Sequence, residues 1–357
     1  MPTSILDLKQ LQQALQSHLE RQDAYSQTCD LRLLAHGEAN VTFRLNAAQL
    51  VRVAVNTPNQ RFGGVFSRIT QFEQAILTYL SGSGISHELC QAQLAPSDDF
   101  PWTYLITNYL EGRSLNYSPE DLKKAAQTLA QLHRLPLSPN HDLSTLMPKV
   151  PVVDQPLSLF YQESQAYAQP YVESPQADPQ IVDLLNQVLD LAQQRLWTEQ
   201  WLTDWPHRCL VHSDHTYENW VVGGDRAYLI DWEWAEIGSP AGDLGHFLSP
   251  VTVQRRPGYH MPESDRTLFL QEYYAALDDD RLAATIQRHF TAFGPFPAVR
   301  SLCWTAGYWI TANRWYADAG SASATERLER LEQSRLHFPS LCAAVIAWLE
   351  DKPVQPG

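Results

Sequence analysis

The chain has 357 residues, of which 44% are hydrophobic and 18% are charged, and this composition excludes an intrinsically disordered protein. Its net charge of −14 argues against binding to nucleic acid or to an anionic membrane surface, because both partners require a basic protein face. The surplus of carboxylates is compatible with a cationic small substrate, although acidity alone also serves solubility.

The cysteines and the amino terminus indicate the compartment. The five cysteines are scattered and form no C-x-x-C pair, which is typical of reduced thiols rather than of a disulfide framework or a zinc site. No signal peptide pattern is visible, and no stretch approaches the roughly 20 apolar residues that span a bilayer. We therefore expect a soluble, cytoplasmic protein without membrane or nucleic-acid partners, whose oligomeric state the sequence leaves open.

The first part of the chain mixes helix and strand patterns. Apolar residues recur at helical spacing from Ile5 to Leu19, and from Leu31 onward they alternate and predict three strands. A helix over Phe66–Leu80 follows, and then two further strands near Leu89–Leu94 and Thr103–Tyr109. These elements predict a sheet-rich domain over residues 1–110, built on a small antiparallel sheet.

After a break at residues 108–112, almost every periodic segment is helical, and the pattern predicts helices over Pro119–Leu135, Leu157–Tyr171 and Gln180–Gln200 and beyond Asp265. The exception is a strand–turn–strand over Trp220–Trp232. The expected fold class is α+β, with a connector at 108–112 and a helical domain over 111–357.

The segment Leu210–Glu233, LVHSDHTYENWVVGGDRAYLIDWE, carries the residues that indicate chemistry. Phosphoryl transfer leaves the protein little covalent work, so its side chains must position groups and neutralise charge. Asp214 can orient an acceptor hydroxyl and take its proton as the new bond forms, since a carboxyl with a pKa near about 4 does not deprotonate a free alcohol beforehand. Asn219 and Asp231 offer oxygen ligands of the kind that Mg²⁺ prefers, and His212 is expected to hold the shape of the loop.

The segments HSDHTYEN and LIDWE resemble the H-x-D-x4-N and I-D-[FW] motifs of the aminoglycoside phosphotransferase and choline kinase superfamily, whose members are relatives of protein kinases. Other segments resemble that superfamily in the same order along the chain: GEANVTFRL, LVRVAV, FEQAILTYL, YLITNYLEGRSL, LAQLHRLP and GSPAGDLGHF. The resemblance implies a bilobal protein-kinase-like fold, with a small antiparallel-sheet N-lobe over 1–110 that binds the nucleotide and a hinge at 108–112. The larger, mostly helical C-lobe over 111–357 then contains the catalytic loop at 210–233 and the acceptor-binding helices. The resemblance also implies ATP and Mg²⁺ as cofactors.

The resemblance further implies which residues hold the nucleotide. Gly37 and Asn40 belong to the nucleotide loop, Arg52 is the basic residue that contacts phosphate, and Glu73 is its acidic partner. The backbone from Asn108 to Leu110 is the hinge that contacts adenine. The loop keeps a single glycine, which reduces its capacity to cradle phosphate through backbone N–H groups. Arginine in place of lysine keeps the charge and adds a fork geometry.

On the acceptor side, the resemblance implies that Asp243 anchors the catalytic loop, although capping a helix start is an alternative role for this residue. Glu233 is either a surface charge or a residue of the acceptor pocket. Trp304, Tyr308 and Trp309 fall at helical spacings and are candidates for holding an ammonium group, although an aromatic stripe on a helix more often packs in the core.

These observations predict an ATP-dependent kinase that phosphorylates a hydroxyl of a small, amine-bearing molecule such as choline, an amino alcohol, an amino sugar or an aminoglycoside. A pseudokinase or ligand sensor without turnover is the alternative, indicated by the single-glycine loop and opposed by the retention of Asp214, Asn219 and Asp231. A metal hydrolase using His212 and His215 is a further alternative, but His246 and His260 fall in no recognisable ligand spacing. The acceptor, and the choice between ATP and GTP, stay open.

Overall fold

The computed structural model describes residues 7–22, 25, 29–37, 39–56, 60–135, 150–317 and 322–351. The chain divides into two compact units. The described residues of Met1–Arg113 and Val221–Glu233 make up most of the first unit, and those of Ser114–Leu135, Pro151–Trp220 and Trp234–Gly357 make up the second. The segment Val221–Glu233 thus belongs to the same unit as the amino-terminal part of the chain.

The strands are β1 (Leu31–His36), β2 (Asn40–Leu45), β3 (Gln49–Ala54), β4 (Leu89–Gln93), β5 (Thr103–Asn108), β6 (Arg113–Ser114), β7 (Cys209–Val211), β8 (Trp220–Gly223), β9 (Arg226–Leu229) and β10 (Glu236–Gly238). The helices are α1 (Leu8–Glu20), α2 (Phe66–Tyr79), α3 (Pro119–His133), α4 (Pro156–Val172), α5 (Pro179–Arg195), α6 (Gln200–Asp204), α7 (Pro240–Phe247), α8 (Pro250–Val253), α9 (Glu263–Ala276), α10 (Asp280–Phe293), α11 (Phe296–Ala317) and α12 (Ala322–Glu350).

The first unit is built on an antiparallel sheet in the order β1-β2-β3-β5-β4. Asp7 caps α1 by accepting from the N–H groups of Lys9 and Gln10, and the leucines on one side of this helix pack on the sheet core around Phe43 and Ile106. The helical pattern of the sequence starts at Ile5, but this residue, like Thr3 and Ser4 before it, lies outside the described residues.

A second sheet, in the order β6-β8-β9, fixes the segment that follows β5. A Cβ atom on Gly223 would lie 2.0 Å from the carbonyl oxygen of Glu111, and one on Gly112 would lie 2.6 Å from the carbonyl oxygen of Val222. Only glycine allows the two backbones to approach this closely. The hinge segment therefore packs closely against β8, which pairs with β9, the strand that precedes Asp231.

The second unit is helical around one core. Its long helices α4 and α11 cross so closely that a Cβ atom on Gly307 would lie 2.1 Å from the carbonyl oxygen of Tyr167. Short strands β7 and β10 pair antiparallel, with Leu210 opposite Ile237, and β7 leads directly into the catalytic loop. Ser239 caps α7, so Asp243 lies within the first turns of that helix and is not its cap.

The α+β class expected from the sequence is confirmed, with a small antiparallel sheet in one unit and a mostly helical second unit. The element boundaries differ by a few residues: the helix expected over Gln180–Gln200 ends at Arg195 and continues as a 3-10 turn over Leu196–Glu199. In the part of the chain that the structure describes, none of the helices combines the length and the apolar character of a membrane span.

Candidate active site

In the first unit, Arg52 on β3 is held by three side chains. Its Nη1 lies 2.8 Å from Oε1 of Glu73 on α2, and its Nη2 donates to Oδ1 of Asp231. In the amide orientation that satisfies both residues, the oxygen of Asn40 accepts from Arg52 at 3.2 Å (Nε) and 2.8 Å (Nη2). The Arg52–Glu73 contact implied by the resemblance is thus present, and Asn40 and Asp231 complete the set.

The charges around Arg52 keep it cationic. Burial lowers its pKa, but Asp231, Glu73 and Glu233 more than offset that effect, and the pKa lies above the ordinary value of arginine. The pKa of Glu73 lies above its ordinary value, because burial raises it more than Arg52 and the backbone N–H of Trp232 lower it. Glu233 therefore contributes negative potential to the Arg52 site.

Asp231 has an unusual backbone that the neighbouring residues hold in place. Its φ of +67° lies in the left-handed region, which is unfavourable for a residue other than glycine. The next residue, Trp232, is fully buried and donates from Nε1 to Oγ of Ser86 at 2.9 Å, and Ser86 donates to the carbonyl of Leu229 at 2.7 Å. The strain at Asp231 is thereby offset by buried hydrogen bonds on either side of it.

The hinge predicted at Asn108–Leu110 is partly occupied by contacts within the protein. The N–H of Asn108 donates to the carbonyl of Glu88 at 3.1 Å, and its carbonyl accepts from Nδ1 of His87 at 3.0 Å. The N–H of Tyr109 donates to the carbonyl of Ala48 at 2.7 Å. The backbone N–H groups of Asn108 and Tyr109 are thus already paired within the first unit.

Gly37 lies between β1 and β2, and its N–H donates to the carbonyl of Asn40 at 2.9 Å. A Cβ atom there would meet its nearest neighbour at 3.6 Å, an ordinary contact. The glycine is therefore not required for the packing of this turn, and Glu38 beside it lies outside the described residues.

In the second unit, Asp243 on α7 anchors the loop that carries Asp214. Its two oxygens accept from the backbone N–H groups of His212 (2.9 Å) and Ser213 (2.8 Å), and Oδ2 also accepts from Nε2 of His133 at 3.0 Å. Burial raises the pKa of Asp243, but His215 and His133 outweigh it and hold the pKa well below the usual range. Nδ1 of His133 accepts from the hydroxyl of Tyr273 at 2.8 Å, which completes a buried chain of hydrogen bonds.

Asp214 is presented by a loop with one strained residue. Ser213 has a φ of +66°, and the N–H of Asp214 donates to Nδ1 of His212 at 3.3 Å. Nδ2 of Asn219 donates to Oδ2 of Asp214 at 2.9 Å and to its carbonyl at 3.0 Å. These two hydrogen bonds orient the amide of Asn219, so that its nitrogen faces Asp214 and its oxygen faces away.

The local field keeps Asp214 ionised. Burial raises its pKa, but His246, Arg255, His212 and His215 more than compensate, and the pKa lies below the ordinary value for aspartate. Oδ1 of Asp214 lies 3.9 Å from Nε2 of His246, and its side chain is 29% exposed. Asp214 is thus a charged, accessible carboxylate, as acceptance of a proton during phosphoryl transfer requires.

The aromatic residues predicted for the acceptor pocket pack on other side chains of the second unit. The rings of Trp304 and Tyr308 stack on each other with centroids 4.7 Å apart. Nε1 of Trp309 donates to Oε2 of Glu332 at 3.2 Å, and its ring contacts Tyr171. All three residues lie on α11.

Sequence reasoning considered His215 and His246 only as possible ligands of a metal hydrolase, and it assigned neither of them a place beside Asp243 or Asp214. His215 lies 2.9 Å from Asp243, and His246 lies close to Asp214. The signal for His246 was its position three residues after Asp243, which places both on one side of α7. Within the described residues, no group of three or more His, Cys, Asp or Glu side chains is arranged to hold a metal ion.

With this geometry established, comparison with known proteins identifies the family. The sequence profile of the phosphotransferase enzyme family matches residues 30–284. The chain therefore belongs to the phosphotransferase enzyme family, and it is a small-molecule kinase by membership. Among curated proteins, no relative matches this sequence.

Solved structures share the fold at low identity. A putative aminoglycoside phosphotransferase from Ralstonia eutropha is 16% identical, with a TM-score of 0.59, over 96% of this chain and 99% of that chain. A choline/ethanolamine kinase family protein from Mesorhizobium loti is 15% identical, with a TM-score of 0.53, over 94% and 99%. The streptomycin–ATP–APH(2")-IIa ternary complex is 16% identical, with a TM-score of 0.53, over 94% and 99%. These similarities confirm the protein-kinase-like fold expected from the sequence.

Proposed function

We propose that this protein is an ATP-dependent kinase that transfers the γ-phosphoryl group to a hydroxyl of a small, amine-bearing acceptor. The observation that carries the proposal is the ionised Asp214 carboxylate, held between Asn219 and the Asp243-anchored loop. In this role, Asp214 orients the acceptor hydroxyl and takes its proton as the bond to phosphorus forms.

Arg52 is the proposed phosphate contact. Its guanidinium is fixed by Glu73 and Asn40, so it binds anionic oxygens without a large loss of side-chain entropy. Leu110 is the proposed backbone contact for the nucleotide base, with Gly37 and Asn40 in the adjoining loop. That one similar structure holds ATP supports the choice of nucleotide.

The donor set fits Mg²⁺, which prefers oxygen ligands and takes few from protein. The Asp231 carboxylate is 36% exposed while its Oδ1 pairs with Arg52, and the oxygen of Asn219 is directed away from Asp214. We propose these two residues as the protein ligands of the Mg²⁺ that accompanies the nucleotide, where it would neutralise phosphate charge.

The proposed acceptor class rests on the similar structures, which include an aminoglycoside phosphotransferase and a choline/ethanolamine kinase family protein, and on the net charge of −14. ADP release would be measured with choline, ethanolamine, thiamine, amino sugars and aminoglycosides, with glycerol as an uncharged control and GTP as the competing donor. Turnover with an amine-bearing acceptor that Asp214→Asn abolishes is the expected result. Turnover only with glycerol-like acceptors would overturn the acceptor class.

The pseudokinase alternative makes a different prediction. A sensor without turnover would be stabilised against heat by nucleotide, yet it would release no ADP with any acceptor of the panel. ADP release separates the two, and melting with nucleotide in the presence and absence of Mg²⁺ tests Asn219 and Asp231 as metal ligands, because a protein that uses them gains additional stabilisation from the metal.

A further inference from the structure

His246 lies beside the carboxylate of Asp214 in the second unit. Its Nε2 is 3.9 Å from Oδ1 of Asp214, whereas Oδ2 of the same carboxylate accepts from Asn219 at 2.9 Å. The two oxygens therefore have different neighbours. Oδ2 is already fixed by an amide, and Oδ1 is the oxygen that remains for the acceptor hydroxyl.

The hydrogen bonds of the ring settle which nitrogen of His246 carries the proton. The backbone N–H of His215 donates to Nδ1 at 3.0 Å, and the hydroxyl of Thr252 lies 3.5 Å from the same atom. A nitrogen that accepts from an N–H group carries no proton itself, so the neutral ring holds its proton on Nε2. This N–H is on the side of the ring that faces Asp214.

The surroundings keep the ring neutral. Burial, His215 and Arg300 lower the pKa of His246 and outweigh Asp214 and Asp243, so that it falls to about 3. Arg300 on α11 is itself held by Glu163, with its Nε 2.9 Å from Oε2. At neutral pH, Asp214 therefore faces an N–H dipole at this position and not a second full charge.

We propose that His246 is a positioning residue for phosphoryl transfer, whose Nε2–H directs Oδ1 of Asp214 towards the acceptor hydroxyl. The proposal rests on the proposed function, since it assigns the proton of the acceptor to Asp214. A separation of 3.9 Å is longer than a hydrogen bond, and such contacts in ligand-free sites commonly tighten when the substrate binds. The proton of the acceptor still ends on Asp214, and His246 keeps its own.

Two substitutions separate this role from a purely structural one. In His246→Asn the side-chain oxygen can replace Nδ1 as the acceptor for His215, but nothing reaches the position of Nε2. In His246→Gln the longer amide can place an N–H group near the position of Nε2, while the acceptor for His215 is lost. A positioning role predicts that the glutamine variant is the more active, and a structural role predicts the reverse.

The expected result is a kcat about 10- to 100-fold lower for His246→Asn, as for other lost orienting contacts, with the KM for ATP unchanged and with partial or full activity in His246→Gln. Melting temperatures of both variants serve as the check on folding. An asparagine variant that matches the wild type, or that exceeds the glutamine variant, would overturn the proposal.

A measurement without turnover distinguishes this proposal from the proposed function. Carbon-13 NMR of labelled aspartate, assigned with Asp214→Asn, reports the pKa of Asp214. Loss of a donor to the charged carboxylate raises this pKa in His246→Asn, and His246→Gln restores it. A shift in a protein that phosphorylates no acceptor would refute the kinase assignment and leave the contact standing. An unchanged Asp214 pKa in an active enzyme would refute the role of His246 alone.

Discussion

The substitution Asp243→Asn tests the anchor of the catalytic loop. The fully buried carboxylate accepts from two backbone N–H groups, at 2.9 Å and 2.8 Å, and from His133 at 3.0 Å. An asparagine keeps one acceptor oxygen and turns an NH₂ group towards one of these donors. An unsatisfied buried donor costs about 1–3 kcal/mol, and weaker bonds to the remaining donors, which lose a charged acceptor, bring the total to about 3–5 kcal/mol.

This energy converts into a measurable melting shift. A per-residue unfolding entropy of about 2.1 cal/mol/K gives roughly 0.75 kcal/mol/K for a chain of 357 residues. A loss of about 3–5 kcal/mol then lowers Tm by about 4–7 °C. Activity should fall about 100-fold, because the loop that presents Asp214 loses its position.

Scanning fluorimetry and ADP release on the purified variant would measure both effects. Asp225→Asn, the same chemical change at an exposed turn position, is the matched control and should stay within about 0.5 kcal/mol of the wild type. An Asp243→Asn protein that melts within about 1 °C of the wild type and keeps its turnover would refute the reasoning.

Three further predictions follow from the same contacts. Arg52→Met should raise the KM for nucleotide at least about 10-fold. Arg52→Lys should raise it less, because lysine keeps the charge but loses the fork that reaches Glu73 and Asn40. Equal KM values for both variants in steady-state kinetics would contradict this expectation. Gly223→Ala should destabilise the fold by about 1–3 kcal/mol, since its Cβ would lie 2.0 Å from the Glu111 carbonyl, whereas Gly37→Ala, with 3.6 Å to its nearest neighbour, should melt like the wild type. Burial lowers the pKa of His289 to about 4, whereas a histidine in the unfolded chain has a pKa of about 6.5. As the pH drops below about 6.5, the unfolded state therefore takes up a proton that the folded state does not, and the stability of the fold should fall. Tm measured from pH 8 to 5 should decline less in His289→Gln than in the wild type.

The local parts of this site could be predicted from the sequence. Asn219 follows Asp214 by five residues, and a turn of that length returns the amide to the carboxylate, as the 2.9 Å contact shows. The aromatic residues on one side of α11 could also be predicted, but the spacing of Trp304 and Tyr308 shows only that they are adjacent on the helix surface. Their stacking on each other depends on side-chain packing that periodicity does not encode.

The long-range contacts could not be predicted by local patterns. His133 and Asp243 are 110 positions apart, and His133 and Tyr273 are 140 apart, so their contact depends on how α3, α7 and α9 pack. The left-handed conformations of Ser213 and Asp231 could not be predicted either, because the residue types alone do not specify them and they depend on the surrounding structure.

The central claim is that Asp214 receives the acceptor proton while other residues bind the nucleotide. The most direct test is to measure MgATP binding by calorimetry and γ-phosphoryl transfer to the best acceptor in the wild type and in Asp214→Asn. We expect dissociation constants within about threefold of each other and a transfer rate reduced by at least about 1,000-fold in Asp214→Asn, the range of a lost catalytic carboxylate. Transfer at the wild-type rate by Asp214→Asn would contradict it.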